Sequence, residues 1–224
     1  MASTFFGLHI GSSALSSFQV ATNTTANNIA NVKTTGYTRQ EATLQAKDAI
    51  NVTARYGSVG TGVTVTSIKQ QRDLYYDNKY WENNSCYGRY EQKLYYMEQI
   101  QNYFKDNGSS VKGFSSVFSQ MFSDLDTLRS KPSDKTVRNQ FISSAQSLCT
   151  YFNQMSDNLS KLQDDCNEEI RNNVDKINSI SEKISLLNKE INQIETGTGV
   201  EAGSLRDERA NLIDSLSKIV NVSY

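Results

Sequence analysis

The chain has 224 residues, 23 of them basic and 24 acidic, for a formal net charge of −1. That balance provides no basic face for nucleic acid, and no apolar run approaches the roughly 20 residues that span a bilayer, so neither a nucleic-acid nor a membrane partner is expected. Hydrophobic residues make up only 37% and proline occurs once, as Pro132, which suits long helices with much surface better than one compact globule.

Residues 1–32 contain no Asp, Glu, Lys or Arg; the first formal charge is Lys33. Leu8, Leu15, Thr22 and Ile29 recur every seven residues, with Phe18 and Ala26 beside them, which predicts a helix over about residues 4–30. Its other faces carry Ser, Thr, Asn, Gln and Gly where a water-facing helix would carry charge. The segment is therefore suited to packing against protein on several sides, a flexible polar tail being the alternative.

Thr34-Thr35-Gly36-Tyr37 is a turn signal. The runs Thr38–Leu44 and Ile50–Ala54 follow, and Gly60-Thr61-Gly62 leads into Val63–Ile68, whose alternating β-branched pattern predicts a strand. Residues 36–68 read as an extended or β-hairpin insertion. Helical period returns over 72–105, where Tyr80, Tyr87 and Leu94 form one heptad line and Tyr76, Tyr90, Met97 and Phe104 its neighbour, a stripe that reads as core or interface. Asn107–Ser110 breaks this helix, and a shorter one runs from Phe114 to Leu128 before Pro132.

The longest signal starts at Ser133 or Asp134, either a plausible N-cap. Phe141, Leu148, Met155 and Leu162 are spaced by seven; after one step of eight, Ile170, Ile177, Ile184 and Ile191 continue by seven. Phe152, Leu159 and Cys166 take the same step to Val174, as one continuous helix with a single inserted residue would. Sixty such residues span about 90 Å at 1.5 Å each. Leu148, Met155, Leu162, Ile170, Ile177, Ile184 and Ile191 are the expected core of this rod. The helix ends near Thr196–Gly199; a last helix covers about 204–218 and leads into Ile219-Val220-Asn221-Val222, which reads as a strand. The fold expected is mainly α: an elongated helical bundle or coiled-coil rod, with a small extended or β-hairpin segment near 36–68 and the start of a β-containing outer domain at the C-terminus. Its parts are a helix over 1–33, a connector over 34–71, the long-helix rod over 72–196 and the outer start over 197–224.

Chemistry is sparse. The single histidine, His9, has no acidic or cysteine neighbour in sequence to position it as a general base. Asp164-Asp165 and Glu168-Glu169 read as a solvated helix flank. Cys86, Cys149 and Cys166 are odd in number and widely spaced, and read as free thiols rather than a disulfide or zinc framework. No P-loop, GxGxxG, GxSxG or HExxH pattern is present. The reading is a non-enzymatic protein with no catalytic, metal or cofactor site.

Asn27-Asn28-Ile29-Ala30-Asn31 followed by Thr35-Gly36-Tyr37 resembles the N-terminal signature of bacterial flagellar axial proteins, the rod, hook and hook-associated subunits. Gly36-Tyr37-Thr38-Arg39-Gln40, Gly60-x-Gly62-Val63-x-Val65, Arg72-Asp73, Tyr80-Trp81 and Leu205-Arg206-Asp207-Glu208-Arg209 resemble the hook-associated protein 1 (FlgK) branch of that family. The chain departs from the usual pattern at Gly203-Ser204 and Ala210. The resemblance implies a structural adapter between hook and filament, exported by the flagellar type III apparatus without a cleaved signal peptide and located extracellularly in the flagellum. It implies as partners copies of the chain in a ring, hook subunits, the second junction protein and an export chaperone. Assembly is expected through Leu8, Leu15, Phe18, Asn27, Asn28, Ile29, Asn31, Gly36 and Tyr37. Another axial subunit of rod or hook, or a secreted coiled-coil interaction protein, is the alternative. Family members continue through outer domains to a C-terminal helix, so this chain reads as an N-terminal part or a short variant.

Overall fold

A computed structural model describes residues 5–51, 57–105 and 113–223. Within them the protein is mainly α with a small antiparallel β segment. The elements are α1 (Phe6–Ala30), β1 (Gln40–Ala46), β2 (Ile50–Asn51), β3 (Ser58–Val59), β4 (Val63–Gln70), α2 (Leu74–Tyr103), α3 (Phe114–Ser130), α4 (Lys135–Thr198) and α5 (Gly203–Ser217). The expected Asn107–Ser110 break and residues 52–54 of the second extended run lie outside the described residues. No helix among those described is long and apolar enough to cross a membrane.

Local chemistry accounts for the element ends. The Asp73 carboxylate accepts from the Tyr75 N–H at the start of α2, and Asp134 accepts from the Thr136 N–H at the start of α4. Each supplies an acceptor for an amide that the helix leaves without a partner. α4 closes on Gly199, whose φ of 69° lets its N–H reach back to the Glu195 carbonyl. β1 and β4 pair antiparallel from Gln40 opposite Gln70 to Ala46 opposite Val63, with a register shift between Thr43 and Leu44. The expected hairpin is therefore present, and β2 pairs with β3.

The chain divides into two compact units, one of residues 1–85 with 177–224 and one of 86–176. In the first, α1 lies on the β1–β4 hairpin, where the Ser17 hydroxyl donates to the Val63 carbonyl at 3.2 Å. The buried apolar residues of this unit are Trp81 of α2, Ile180, Leu187 and Ile191 of α4, and Ala210 and Ile213 of α5. α4 and α5 are tied at their corner by Glu195, which accepts from Arg206 Nε and Nη2 at 2.7 and 2.8 Å and from the Ala202 N–H at 3.1 Å. The Arg206 hydrogen bonds lead in lowering the Glu195 carboxyl from 4.5 to about 2, against the opposing effect of burial. A carboxylate depressed in the folded state contributes stability that is complete above its unfolded pKa and lost as pH falls through its folded one. The stability difference between the native chain and Glu195→Gln is thus expected to be on the order of 1–2 kcal/mol at pH 6, after solvent screening is allowed for, and to vanish between pH 4.5 and about 2. Denaturant unfolding across that range measures it; a pH-independent difference would refute the assignment.

In the second unit Val117 of α3 and Met155 and Leu162 of α4 are buried. Phe114, Phe118 and Phe122 form a ring ladder with centroids 5.1 and 4.7 Å apart, which Tyr151 and Phe152 of α4 join at Phe114. Here the expected rod core needs correction. Ile170 is 55% exposed and Val174 49%. The inner line instead passes from Leu162 through Cys166, Glu169 and Asn173 to Ile177. Glu169 turns inward because the Tyr96 hydroxyl of α2 donates to it, which also raises the Tyr96 pKa. The extra step is real but falls between Glu169 and Ile177, and one member of the supposedly solvated carboxylate cluster belongs to the interior. A second correction concerns 219–222: Ile219 and Val220 send their N–H groups back to the Leu216 carbonyl, and residues 221–223 are in no strand. Among the described residues this run has no pairing partner, and so no ladder to join.

Candidate assembly surface

α1 turns several of its large apolar residues outward, while Phe6, Ile10 and Val20 are half-buried. Its buried residues are Ser17 and Thr24, seven apart, on the face that meets the hairpin. Leu8, Leu15, Phe18 and Ile29 are 60–71% exposed and lie on the opposite side. Near Ser13 the hairpin backbone comes very close. Gly62 has φ of 103°, and a Cβ there would lie 2.2 Å from the Ser13 hydroxyl oxygen. Ser17 and Thr24 satisfy their hydroxyls on carbonyls, Thr24 on that of Val20 at 2.9 Å, so they are buried without loss of a hydrogen bond.

The turn after α1 is held by asparagines. Asn28 Oδ1 accepts from the Tyr37 hydroxyl at 2.8 Å and the Gln40 N–H at 2.9 Å, while its Nδ2 donates to the Gln40 carbonyl at 2.8 Å. One side-chain amide thus joins the last turn of α1 to the first residue of β1. Asn31 donates to Asn27, and Thr34 donates to Asn31, which closes the helix end. Gly36, with φ of 78°, sits where a Cβ would fall 1.8 Å from Asn211 Oδ1 of α5.

The turn is then fixed to α5 by a buried carboxylate. Asp207, 8% exposed, accepts from the Thr38 N–H at 3.2 Å and from Gln70 Nε2 at 2.8 Å. The same Gln70 amide nitrogen donates to the Gly203 carbonyl at 2.9 Å, and the Gln70 N–H to Glu201 at 3.2 Å. Burial, and secondly the Asp207 charge, raise the Tyr37 pKa above 10.0. Beside this clamp an open groove of about 620 Å³ is lined by Ala21, Asn28, Ile29, Val32, Tyr37 and Ala42.

The expected interface residues thus fall into two sets. Leu8, Leu15, Phe18 and Ile29 present an uncovered seam, whereas Asn28, Gly36 and Tyr37 are occupied inside the unit, with Asn27 and Asn31 at its edge. Asp207 and Gln70 also fix the turn after α1, and neither is among the expected interface residues. Asp207 lay within a recognised motif, but which backbone amide it accepts from is set 169 residues away. Of the expected core residues, Met155, Leu162 and Ile191 are buried, Leu148, Ile177 and Ile184 half-buried, and Ile170 exposed.

The model of the flagellar hook-associated protein FlgK helical domain matches residues 97–224, and that of the flagella basal body rod protein matches residues 8–38. Flagellar hook-associated protein 1 of Bacillus subtilis is 34% identical over 227 residues, which covers 99% of this chain and 44% of that protein. The proteins of the same name from Salmonella typhimurium and Escherichia coli are 32% and 30% identical, each covering 94% of this chain and 37% and 38% of their own lengths. The chain therefore spans less than half the length of the curated relatives it matches.

Proposed function

This chain belongs to the flagellar hook-associated protein FlgK family, a structural and not an enzymatic family, and we propose that it acts as an axial subunit at the hook–filament junction, assembling through the outer seam of α1. The observation that carries the reading is the orientation of α1. A charge-free helix that turns Ser17 and Thr24 inward and Leu8, Leu15, Phe18 and Ile29 outward is uneconomical in water and apt for burial between subunits. Absence of charge on its flanks fits the same role, because a buried unpaired charge costs several kcal/mol. The Asn28 and Asp207 clamps hold the seam at a fixed attitude to the hairpin and α5. The partners in this proposal are further copies of the chain in a ring, hook subunits and the second junction protein. Delivery to the extracellular flagellum is by the type III apparatus with an export chaperone, without a cleaved signal peptide. A rod or hook subunit is the second reading, favoured by the rod-protein match over 8–38; the match of the FlgK helical domain over 97–224 weighs against it.

The test is Leu15→Asp combined with Phe18→Asp. Both side chains are exposed, 71% and 60%, so thermal unfolding of the isolated chain is expected to be unchanged. Each is expected to lose about 1.5–3 kcal/mol of interface burial, so that incorporation into flagella falls by more than about 100-fold. Fluorescent labelling of flagella in a strain carrying the doubly substituted gene measures this; normal incorporation and motility would overturn the proposal.

A further inference from the structure

In the second unit α2 has two faces of unlike character. Gly88 is buried and Tyr96 half-buried on the inner side. On the outer side Tyr87, Tyr90, Leu94 and Met97 are 59%, 61%, 61% and 55% exposed, and Phe104, just past the helix end, is 53% exposed. Their spacing of three, four and three is that of a coiled-coil seam, with Tyr87 and Leu94 on one heptad line and Tyr90, Met97 and Phe104 on the other. Single exposed apolar residues are ordinary, but an uncovered heptad seam of large side chains marks an interaction surface.

The charges beside the seam distinguish the orientations in which two such helices can pair. Lys93 borders it on one side, Glu91 and Glu98 on the other, and all three are exposed. Two such helices laid antiparallel would bring the basic flank against the basic flank and the acidic against the acidic. Laid parallel and in register, they set Lys93 of each against Glu98 of the other, the g-to-e pairing of parallel coiled coils. We infer that this seam is a self-association surface, occupied by α2 of a second copy running parallel and in register. It is separate from the α1 seam and does not depend on it. Tyrosine suits these positions, since its ring covers the seam while its hydroxyl stays at the edge; the Tyr87 hydroxyl already donates to Glu91 of its own helix at 3.2 Å. Gln101, on the Tyr87–Leu94 line, is a polar position of the kind that favours one register.

The test is disulfide trapping in the full chain with Cys86, Cys149 and Cys166 replaced by serine and with Leu15→Asp and Phe18→Asp present, so that association through α1 does not contribute. Met97→Cys places a thiol on the symmetric line, where the two copies come within disulfide reach only if parallel and in register. Oxidised dimer is expected to form at least tenfold faster from Met97→Cys than from Asp165→Cys, an exposed position of α4 off the seam. Adding Lys93→Glu is expected to slow trapping roughly tenfold, and adding Glu98→Lys as well to restore it. Equal trapping at positions 97 and 165, or no restoration by the charge exchange, would overturn the inference.

Discussion

Replacing Trp81 by alanine is expected to cost the first unit about 3–5 kcal/mol, the range for removing a large buried aromatic. Trp81 is 3% exposed, and its indole N–H donates to Asp214 Oδ1 at 2.6 Å. Three residues on, Asn84 donates to the Asp214 carbonyl at 3.1 Å and to the hydroxyl of Ser217, which is 0% exposed. The substitution therefore opens a cavity and removes the donor from a carboxylate at once. Trp81→Phe is the milder change, because it keeps a six-membered ring in the core and loses the indole N–H with two ring carbons. That change is expected to cost about 1–2 kcal/mol. Urea unfolding read by far-UV circular dichroism checks both; a loss below 1 kcal/mol for alanine would mean that α2 is not anchored here.

Asp207→Ala is expected to cost about 2–4 kcal/mol, because the Thr38 N–H and the Gln70 amide both lose a charged acceptor in a buried place. Asp207→Asn keeps one acceptor oxygen and should lose about half as much. The neutral variant also has a spectroscopic signature. Tyr37 is held above 10.0 first by burial and second by the Asp207 charge, so removal of that charge lowers its titration without bringing it fully back. Ultraviolet titration of tyrosinate, compared with a Tyr37→Phe chain, reads this directly. An unmoved Tyr37 together with unchanged stability would show that the clamp is not formed in solution.

How much of this was legible depended on whether a feature is local. The start of α4 was, because Asp134 caps its own helix; so was its end, because Gly199 alone accommodates the left-handed turn. The hairpin was readable from the β-branched run over 63–68. Which side of a helix faces inward was less so. The heptad count assigned Ile170 to the interior on apolarity, but Tyr96, a hydroxyl donor on another helix, makes Glu169 the better fit inside. Likewise the stripe on α2 was visible as a stripe, whereas its outward direction follows from Gly88 and Trp81 taking the inner side. The seam of α1 was marked by the absence of charge, yet the small polar line through Ser17 and Thr24 gains meaning only from the close approach of Gly62. The run over 219–222 has strand propensity and no strand, since propensity provides no partner.

The reach of the Asp207 clamp has a consequence for the order in which the protein acquires its structure. The amide it secures belongs to residue 38, 169 positions earlier in the chain. Such remote pairings form late, since the loop between them must first be closed against its own entropy. During synthesis this anchor follows the turn by most of the chain, and until α5 has emerged the turn is held by its local bonds through Asn28 and by the hairpin alone. The attachment of the Gly36 turn to α5 is thus among the last contacts to be made, after the turn and hairpin have already taken their own shape.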